Sequence, residues 1–598
     1  MRDLCLWPAL LAFTLLTACD TRRTDNPAAA IGDTGVKLRV MAFNIEWGGT
    51  HVSFDKVVEA IRQADPDIVA VQEAEGNLAR LAAEFGWNHD LRNHVISRHR
   101  LIDPPGAEGL YVLVEVEPGR IVAVANVHLP SDPYGEYWIA DGRSVDAVIA
   151  MERLVRMPAI QTFLDVLPPL AENGVPVFLA GDFNSPSHRD WRAEALDRWP
   201  YRRFAVDWPV SKAIEASGLR DAWRQHRPDP IEYPGFTWWA ERPKIPDYNP
   251  GSGDSWQSRI DFIWYAGPAE VERSTLVGER GAADVTIEID PWPSDHRAVL
   301  SDFVVEPKVM PPLVAAGKRL YQDGEPVVIH YSNRTPDGSI VISSESDDGE
   351  SGTTLRIAAG AVRDTVTLQQ PLPASGRYGL SLEDSQRRTV SRNEFRVLPA
   401  DAVPAIRTGS DSYLQGEALT VSWKNAPGNR WDWVVIYPEG HRDREAYVAW
   451  RHTKSRIEGQ MALGAEHAAT WPLAPGHYVA WLLADDGYEQ LARSLPFAIR
   501  AADWRDAAPD EVSVMPGRPF QEDGSRSGSA AEHRTSRSHR HLRTAGLSAR
   551  RAVPASPLRL HSSVAARPET GLWIRGLPQP RRHREQAAGQ GIRANAWQ

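Results

Sequence analysis

From Lys37 to about Val305 the chain alternates short apolar runs with amphipathic stretches. LRVMAF, DIVAVQ, GLYVLVEV, RIVAVANVHL, VPVFLAG, RIDFIWY and HRAVLSDFVV are rich in β-branched residues and have the length of buried strands. FDKVVEAIRQ, NLARLAAEF and the long RSVDAVIAMERLVRMPAIQTFLDVL repeat their apolar positions at helical spacing. So many strands interleaved with helices predict a layered α/β domain over residues 37–305.

Past residue 305 the helical spacing fades, and Gly, Pro and Asp turns separate short alternating strands. An internal repeat is visible there. Tyr321, Gly324, Glu325, Ile329, Tyr331 and Asn333 recur 92 positions later as Tyr413, Gly416, Glu417, Val421, Trp423 and Asn425. Gly376 and Tyr378 recur as Gly476 and Tyr478, each ahead of an acidic pair, Glu383-Asp384 and Asp485-Asp486. This pattern predicts two all-β sandwiches of immunoglobulin-like size, residues 306–399 and 400–503. Their aromatic residues are expected in the cores, with Trp431, Asp432 and Trp433 left as a candidate recognition surface. Residues 504–598 are rich in Arg, Ser, Ala, Pro and His without periodicity, a composition that predicts a disordered tail.

The N-terminus reads as an export signal over residues 1–19: Arg2 precedes an apolar stretch from Leu4 to Ala18, too short for the roughly 20 residues of a membrane-spanning helix. It ends in Leu16-Thr17-Ala18-Cys19, which resembles a bacterial lipobox, so lipidation of Cys19 and a membrane tether through residues 20–36 are expected. The chain's two cysteines, Cys5 and Cys19, both lie in the signal, so no disulfide or cysteine-based zinc site is expected in the mature protein. The overall charge of −11 is uneven. Residues 517–598 hold 15 Arg, no Lys and 5 acids, a net of +10 that leaves −21 on the residues before them. An acidic body does not favour broad non-specific nucleic-acid binding, though divalent cations can offset carboxylates locally.

Six polar clusters end the apolar runs: Asn44 with Glu46, Glu73, Asn126 with His128, Asp182 with Asn184, Asp261, and Asp295–His296. Carboxylates, amides and imidazoles hold hard cations and move protons around phosphate. Spacing of two on an extended segment points Asp182 and Asn184 to one face, so Asp182 can orient a water while Asn184 donates to a phosphoryl oxygen. Asn44 and Glu46 repeat that spacing, and Glu73 is placed to hold Mg²⁺ through one or two oxygens. Asp261, buried within an apolar strand, needs a partner; His296 is the natural one, and the pairing fixes the imidazole's tautomer and raises its basicity. The chain has no G-x-S-x-G elbow, H-E-x-x-H or Walker loop.

NIEW, QE, the SR of VISRH, NVHL, GDFN, RIDFI and SDHRAV, in this order, resemble the endonuclease/exonuclease/phosphatase (DNase I-like) superfamily over residues 37–305. The resemblance implies an α+β four-layer sandwich, two packed mixed β-sheets flanked by helices, and a Mg²⁺- or Mn²⁺-dependent phosphoester hydrolase. It implies Glu73 as principal metal ligand assisted by Asn44 and Glu46, with Asp295 near the metal. It further implies that Asp182 orients or deprotonates the attacking water, Asn184 stabilises the pentacovalent phosphoryl group, His296 polarised by Asp261 acts as acid/base or phosphate ligand, and His128 meets the scissile phosphate. Glu46 departs from the family, many of whose members place Asp or another polar group there.

The expected function is thus an exported, membrane-tethered phosphoester hydrolase of phosphodiesterase or nuclease type. The alternatives are a lipid-head-group or small-molecule phosphatase of the same fold and, from another class, a surface binding protein acting through its sandwiches. Arg98, Arg143 and Arg259 are candidate phosphate contacts; the aromatic segments Pro130–Asp141 and Gly235–Trp256 are candidates for stacking on bases or settling on lipid. Mass spectrometry of the mature N-terminus is expected to find a lipidated Cys19, and an unmodified terminus elsewhere would reject the lipoprotein reading.

Overall fold

A computed structural model of the chain describes residues 35–131, 133–243, 257–332, 337–345, 351–358, 363–368, 372, 375–444, 446–464 and 471–501. The expected signal with Cys19, nearly all of the tether and the Arg-rich tail lie outside the described residues.

Two seven-stranded sheets form the α/β unit. One runs from Val285–Glu288 through Ala269–Gly278, Ala298–Val305, Val36–Asn44, Ile68–Gln72 and Val95–Ser97 to Asn88–Asp90. The other runs from Arg100–Ile102 through Val112–Glu117, Arg120–His128, Val177–Asp182 and Asp261–Ala266 to Arg220–Asp221, with Lys308–Val309 paired to Arg120–His128. Strand alternation sorts their side chains into layers. Val40 and Ala42 meet Val122, Val124, Phe178 and Ala180 between the sheets. Met41 and Phe43, one residue out of phase, face the helices Phe54–Ala64 and Leu78–Ala83. On the far side, Ala123, Ala125, Val127 and Leu179 pack on Ile160, Phe163, Val210 and Ile214. The result is the four-layer sandwich, and burial on both faces is why its central strands read as unbroken apolar runs.

The long helical stretch from Arg143 to Leu167 folds as separate helices, Val145–Val155, Met157–Leu164 and Leu167–Glu172. Pro158, and then Pro168 with Pro169, fall in first turns, where a missing N–H is tolerated but the preceding helix cannot continue. The strand Ala269–Gly278 carried no clear signal, because Glu272 and Arg273 face solvent in its middle. The unit also reaches past residue 305: Lys308–Val309 pairs with Arg120 and Ile121, and Met310 and Leu313 join the core beneath.

Each β repeat packs a three-stranded sheet on a larger one. Leu313–Ala316, Val328–Ser332 and Arg363–Thr367 oppose five strands, and Ala405–Thr408, Leu419–Lys424 and Gly459–Leu463 oppose six. The repeated residues make the same bonds. Tyr321 Oη accepts from Lys318 N at 3.0 Å and donates to Val328 O at 3.2 Å; 92 positions on, Tyr413 Oη accepts from Ser410 N at 3.0 Å and donates to Thr420 O at 3.1 Å. Tyr331, Tyr378, Trp423 and Tyr478 sit in the two cores. Trp431, Asp432 and Trp433 are buried as well, Trp433 with 0% exposure, so they are not a recognition surface.

None of the three arginines singled out for phosphate lies at the cleft described below. Arg98 pairs with Asp65, Arg143 lies over the Trp138 ring, and Arg259 is buried in an ion network. Arg259 Nε donates to Asp190 Oδ2 at 2.8 Å and its Nη2 to Asp221 Oδ2 at 2.7 Å, while Arg224 Nε donates to Asp190 Oδ1 at 2.7 Å. The network clamps the strand carrying Asp261 to the segment after Asn184. Burial opposes ionisation of Asp190, but Arg224 and Arg259 prevail and hold its pKa at about 2. Asp190→Asn leaves buried guanidinium charge short of a partner and is expected to cost roughly 3–5 kcal/mol in denaturant unfolding. Because the folded-state pKa is depressed, this pairing stabilises fully above about pH 4 and loses its contribution as pH falls toward 2, which acid unfolding of wild type against Asp190→Asn measures.

Candidate active site

Strand register assembles the site. Parallel pairing sets His128 opposite Asp182, and antiparallel pairing sets Asp261 on the other side of Asp182. In the facing sheet, Asn44 pairs with Gln72, one residue before Glu73. Asn44 joins the two rows: its Nδ2 donates to Glu73 Oε1 at 3.0 Å and to Asp182 Oδ2 at 3.1 Å. The close approach behind Asp182 requires Gly181, with φ 137°, since a Cβ there would lie 2.0 Å from Val127 O.

Asp182 Oδ2 is the focal atom. His296 Nε2 stands 3.7 Å from it and His128 Nε2 stands 3.6 Å from it. His296 Nδ1 donates to Asp261 Oδ2 at 2.9 Å, the pairing expected from the sequence. Asn184, at φ 46°, donates its backbone N–H to Asp182 Oδ1 at 2.8 Å and its Nδ2 to Leu129 O at 3.0 Å. Glu73 Oε2 accepts from Trp47 N at 3.1 Å, and Asp295 Oδ2 accepts from Trp238 Nε1 at 3.4 Å.

The four residues expected around a cation divide into two kinds. Glu73 and Asp295 line the cleft. Asn44 and Glu46 are committed to protein groups: Asn44 Oδ1 accepts from Glu46 N at 3.1 Å, Glu46 Oε2 accepts from Asp295 N at 3.1 Å, and Glu46 Oε1 is paired with Arg242. They orient the site rather than face it. Asn126, on the same strand as His128, is also structural, tying the sheets through Val71 O, His94 O and Gln72.

Charge in the site is unbalanced. Burial, reinforced by Asp295, raises the Glu73 pKa well above the usual carboxylate range. Burial and Asp261 push Asp182 to about 7, and burial and Glu46 push Asp295 to about 6. Burial works against protonation of His296, yet Asp261 and Asp182 prevail and raise its pKa well above the ordinary value. Burial lowers His128 to about 4 against the pull of Asp486. Buried carboxylates that raise one another are what a divalent cation offsets, so Glu73 and Asp295 fit one. Asp182, Asp261 and His296 form a second set, with ligand atoms within 4.8 Å of one another.

The cleft is also lined by Ser131, Tyr134, Asn184, Trp238 and Ile260. No Lys or Arg lines it among the described residues. Tyr134 meets Trp238 edge-on at 5.6 Å, and Trp238 stacks on Trp239 at 4.6 Å. These walls come from the two aromatic segments noted in the sequence, which held no signal for which ring would turn inward. Asp486, from the second sandwich, faces His128 and was not anticipated at all.

Residues 41–296 match the Endonuclease/Exonuclease/phosphatase family. The chain is 30% identical to the uncharacterized protein F14F9.5 of Caenorhabditis elegans over 292 residues, 44% of this chain and 91% of that one. Solved structures resemble it more distantly. An endonuclease/exonuclease/phosphatase from Beutenbergia cavernae is 17% identical, covering 60% of this chain and 99% of its own, with a TM-score of 0.29. Zebrafish (D. rerio) TDP2 in complex with a single-strand DNA product is 15% identical, covering 45% and 98%, with a TM-score of 0.27. The chain belongs to the endonuclease/exonuclease/phosphatase family, a family of phosphoester hydrolases. Glu73→Gln is expected to weaken Mn²⁺ binding at least about tenfold in calorimetric titration of the full chain, with the thermal unfolding temperature little changed.

Proposed function

We propose that the chain hydrolyses a phosphoester with Mg²⁺ or Mn²⁺, by in-line attack of water and without a covalent enzyme intermediate. The observation that carries this reading is the convergence on Asp182 Oδ2 of Asn44 and the two imidazole Nε2 atoms. Glu73 and Asp295 would hold the cation, which supplies neutralisation of phosphate charge and stabilisation of the developing oxyanion. Asp182, its carboxylate oriented by Asn44, aligns the water and takes its proton. Asn184 offers the phosphoryl oxygen the amide hydrogen that Leu129 O does not use. His296, kept protonated by Asp261 and Asp182, donates to the leaving oxygen. His128, whose Nε2 is 3.6 Å from Asp182 Oδ2, is the second imidazole beside that phosphate.

A small or lipid-borne phosphoester is favoured over long nucleic acid. A polyanion of many phosphates draws its affinity from Lys and Arg contacts, and the cleft walls offer aromatic rings and carboxylates instead. Export and a lipid tether at Cys19 belong to the same proposal, supported by the apolar segment Leu4–Ala18 and the residues leading to Cys19.

The test is a hydrolysis panel of sphingomyelin vesicles, bis(p-nitrophenyl) phosphate and plasmid DNA, with Mg²⁺ or Mn²⁺. Wild type is expected to cleave at least one, lipid or small ester faster than DNA, and Glu73→Ala to lose on the order of 10³-fold or more. No metal-dependent cleavage of any of them would overturn the proposal.

A further inference from the structure

The second sandwich reaches the active site. The turn between its strands Gly476–Leu483 and Gln490–Arg493 carries Asp485 and Asp486, and each meets a histidine of the α/β unit. Asp485 Oδ1 bonds His94 Nε2, a pair with 4% and 1% exposure, and the His94 ring packs on Trp431 at 4.1 Å. Asp486 Oδ2 faces His128 Nδ1 at 3.8 Å, and its Oδ1 lies 3.5 Å from His452 Nε2. His128 Nδ1 is buried and makes no hydrogen bond among the described residues, so Asp486 is the carboxylate it faces.

The turn is built to hold this position. Asp485 and Asp486 take left-handed conformations, φ 53° and 62°, in succession; Asp tolerates that region, at a cost of order 1 kcal/mol. Buried Asp432 braces the turn from behind, accepting from Asp485 N at 3.2 Å, Asn429 N at 2.9 Å and Gly428 N at 3.0 Å. Trp433 Nε1 donates to Gly487 O at 2.9 Å, and Asp486 N donates to Trp431 O at 2.9 Å. The Trp431-Asp432-Trp433 cluster thus has a purpose the sequence did not reveal. Around the turn, Arg430 donates to Gly109 O at 3.2 Å and lies over Phe163, while Arg444 lies over Trp47. The matching pair in the first sandwich does nothing of the kind. Glu383 pairs with Arg356, and Asp384 binds Gln386 and Arg388 of its own turn.

Two Asp–His pairs then converge on Asp182. Asp261 holds His296 from within the α/β unit, and the second pair takes its carboxylate from outside it. We propose that Asp486 of the second sandwich is a positioning residue: it closes from 3.8 Å to receive the Nδ1–H of His128, which leaves Nε2 as the nitrogen that takes up a proton and, as N–H, donates to a phosphate oxygen of the substrate, making the docked sandwich part of the working site. This rests on the hydrolase reading above, in which His128 meets phosphate.

Three measurements on the full chain test it. His94→Ala and Asp485→Ala each remove one partner of a buried pair that exists only if the second sandwich docks on the α/β unit, so their combined lowering of the thermal unfolding temperature is expected to fall well short of the sum of the separate ones. Fully additive losses would overturn the docking and the proposal with it. Nitrogen-15 NMR of histidine-labelled protein, with the His128 signals identified by His128→Gln, is expected to find the Nδ1–H tautomer in wild type and a mixture in Asp486→Asn. An unchanged tautomer refutes the positioning role. In hydrolysis of bis(p-nitrophenyl) phosphate, Asp486→Asn is expected to lower kcat about 10- to 100-fold with KM within about twofold, and to add nothing in a His128→Ala background. Independent, multiplying losses would refute it too. If the His94–Asp485 coupling is found and the tautomer responds while wild type hydrolyses no phosphoester, the hydrolase reading fails and the positioning of His128 stands.

Discussion

Carboxylates and imidazoles buried at the ends of strands impose the constraint on which the rest of this molecule depends. A charge out of water is costly unless partners and hydrogen bonds replace its hydration. Here Asn44, Glu73, Asp182, Asp261, Asp295 and His296 are buried residues, the side chain of His128 is 3% exposed, and Asn44 and His296 link the carboxylates by hydrogen bonds. Two sheets must therefore stop at the same level, in fixed register, with backbone N–H groups and amides aimed at the carboxylates. Asn44 meets this demand most directly, since one amide nitrogen serves a carboxylate from each sheet. A slip of one residue in its strand would turn that amide to the opposite face.

The supporting structure follows from the same demand. Asp190, Asp221, Arg224 and Arg259 neutralise one another beneath the site and fasten the strand that begins at Asp261. Arg242 and the N–H of Asp295 occupy Glu46, so a residue that looks like a metal ligand becomes a brace for its neighbour. What stays unbalanced is the charge on Glu73, Asp182 and Asp295, in a cleft walled by Tyr134 and Trp238. Carboxylates crowded in this way are what the divalent cation of the proposed mechanism would offset.

Legibility in the sequence tracks the range of the interaction. The strands with both faces buried were readable as apolar runs, and the polar residues ending them marked the site because so few polar groups interrupt those runs. The Asp261–His296 pair could be inferred from the cost of burying Asp261 alone. Arg259 misled, since an arginine at a strand end looks the same whether it faces phosphate or two buried aspartates. The helix breaks at Pro158 and Pro168 were written locally and masked by the continuing apolar period. Glu46 and Asn126 had the right chemistry and the right spacing, but their partners come from distant segments.

The amino-acid sequence by itself determined the layered α/β unit, its family, the tandem β repeats and the chemical kind of site, because each is written in periodicity, turn residues or a short motif. Only the tertiary structure decided which polar groups face the cleft and which hold others in place, because that depends on sheet packing and on side chains hundreds of residues apart. Asp486 is the clearest instance. Its motif repeats Asp384 of the first sandwich, and only the docking of the second against the α/β unit sets the carboxylate beside His128.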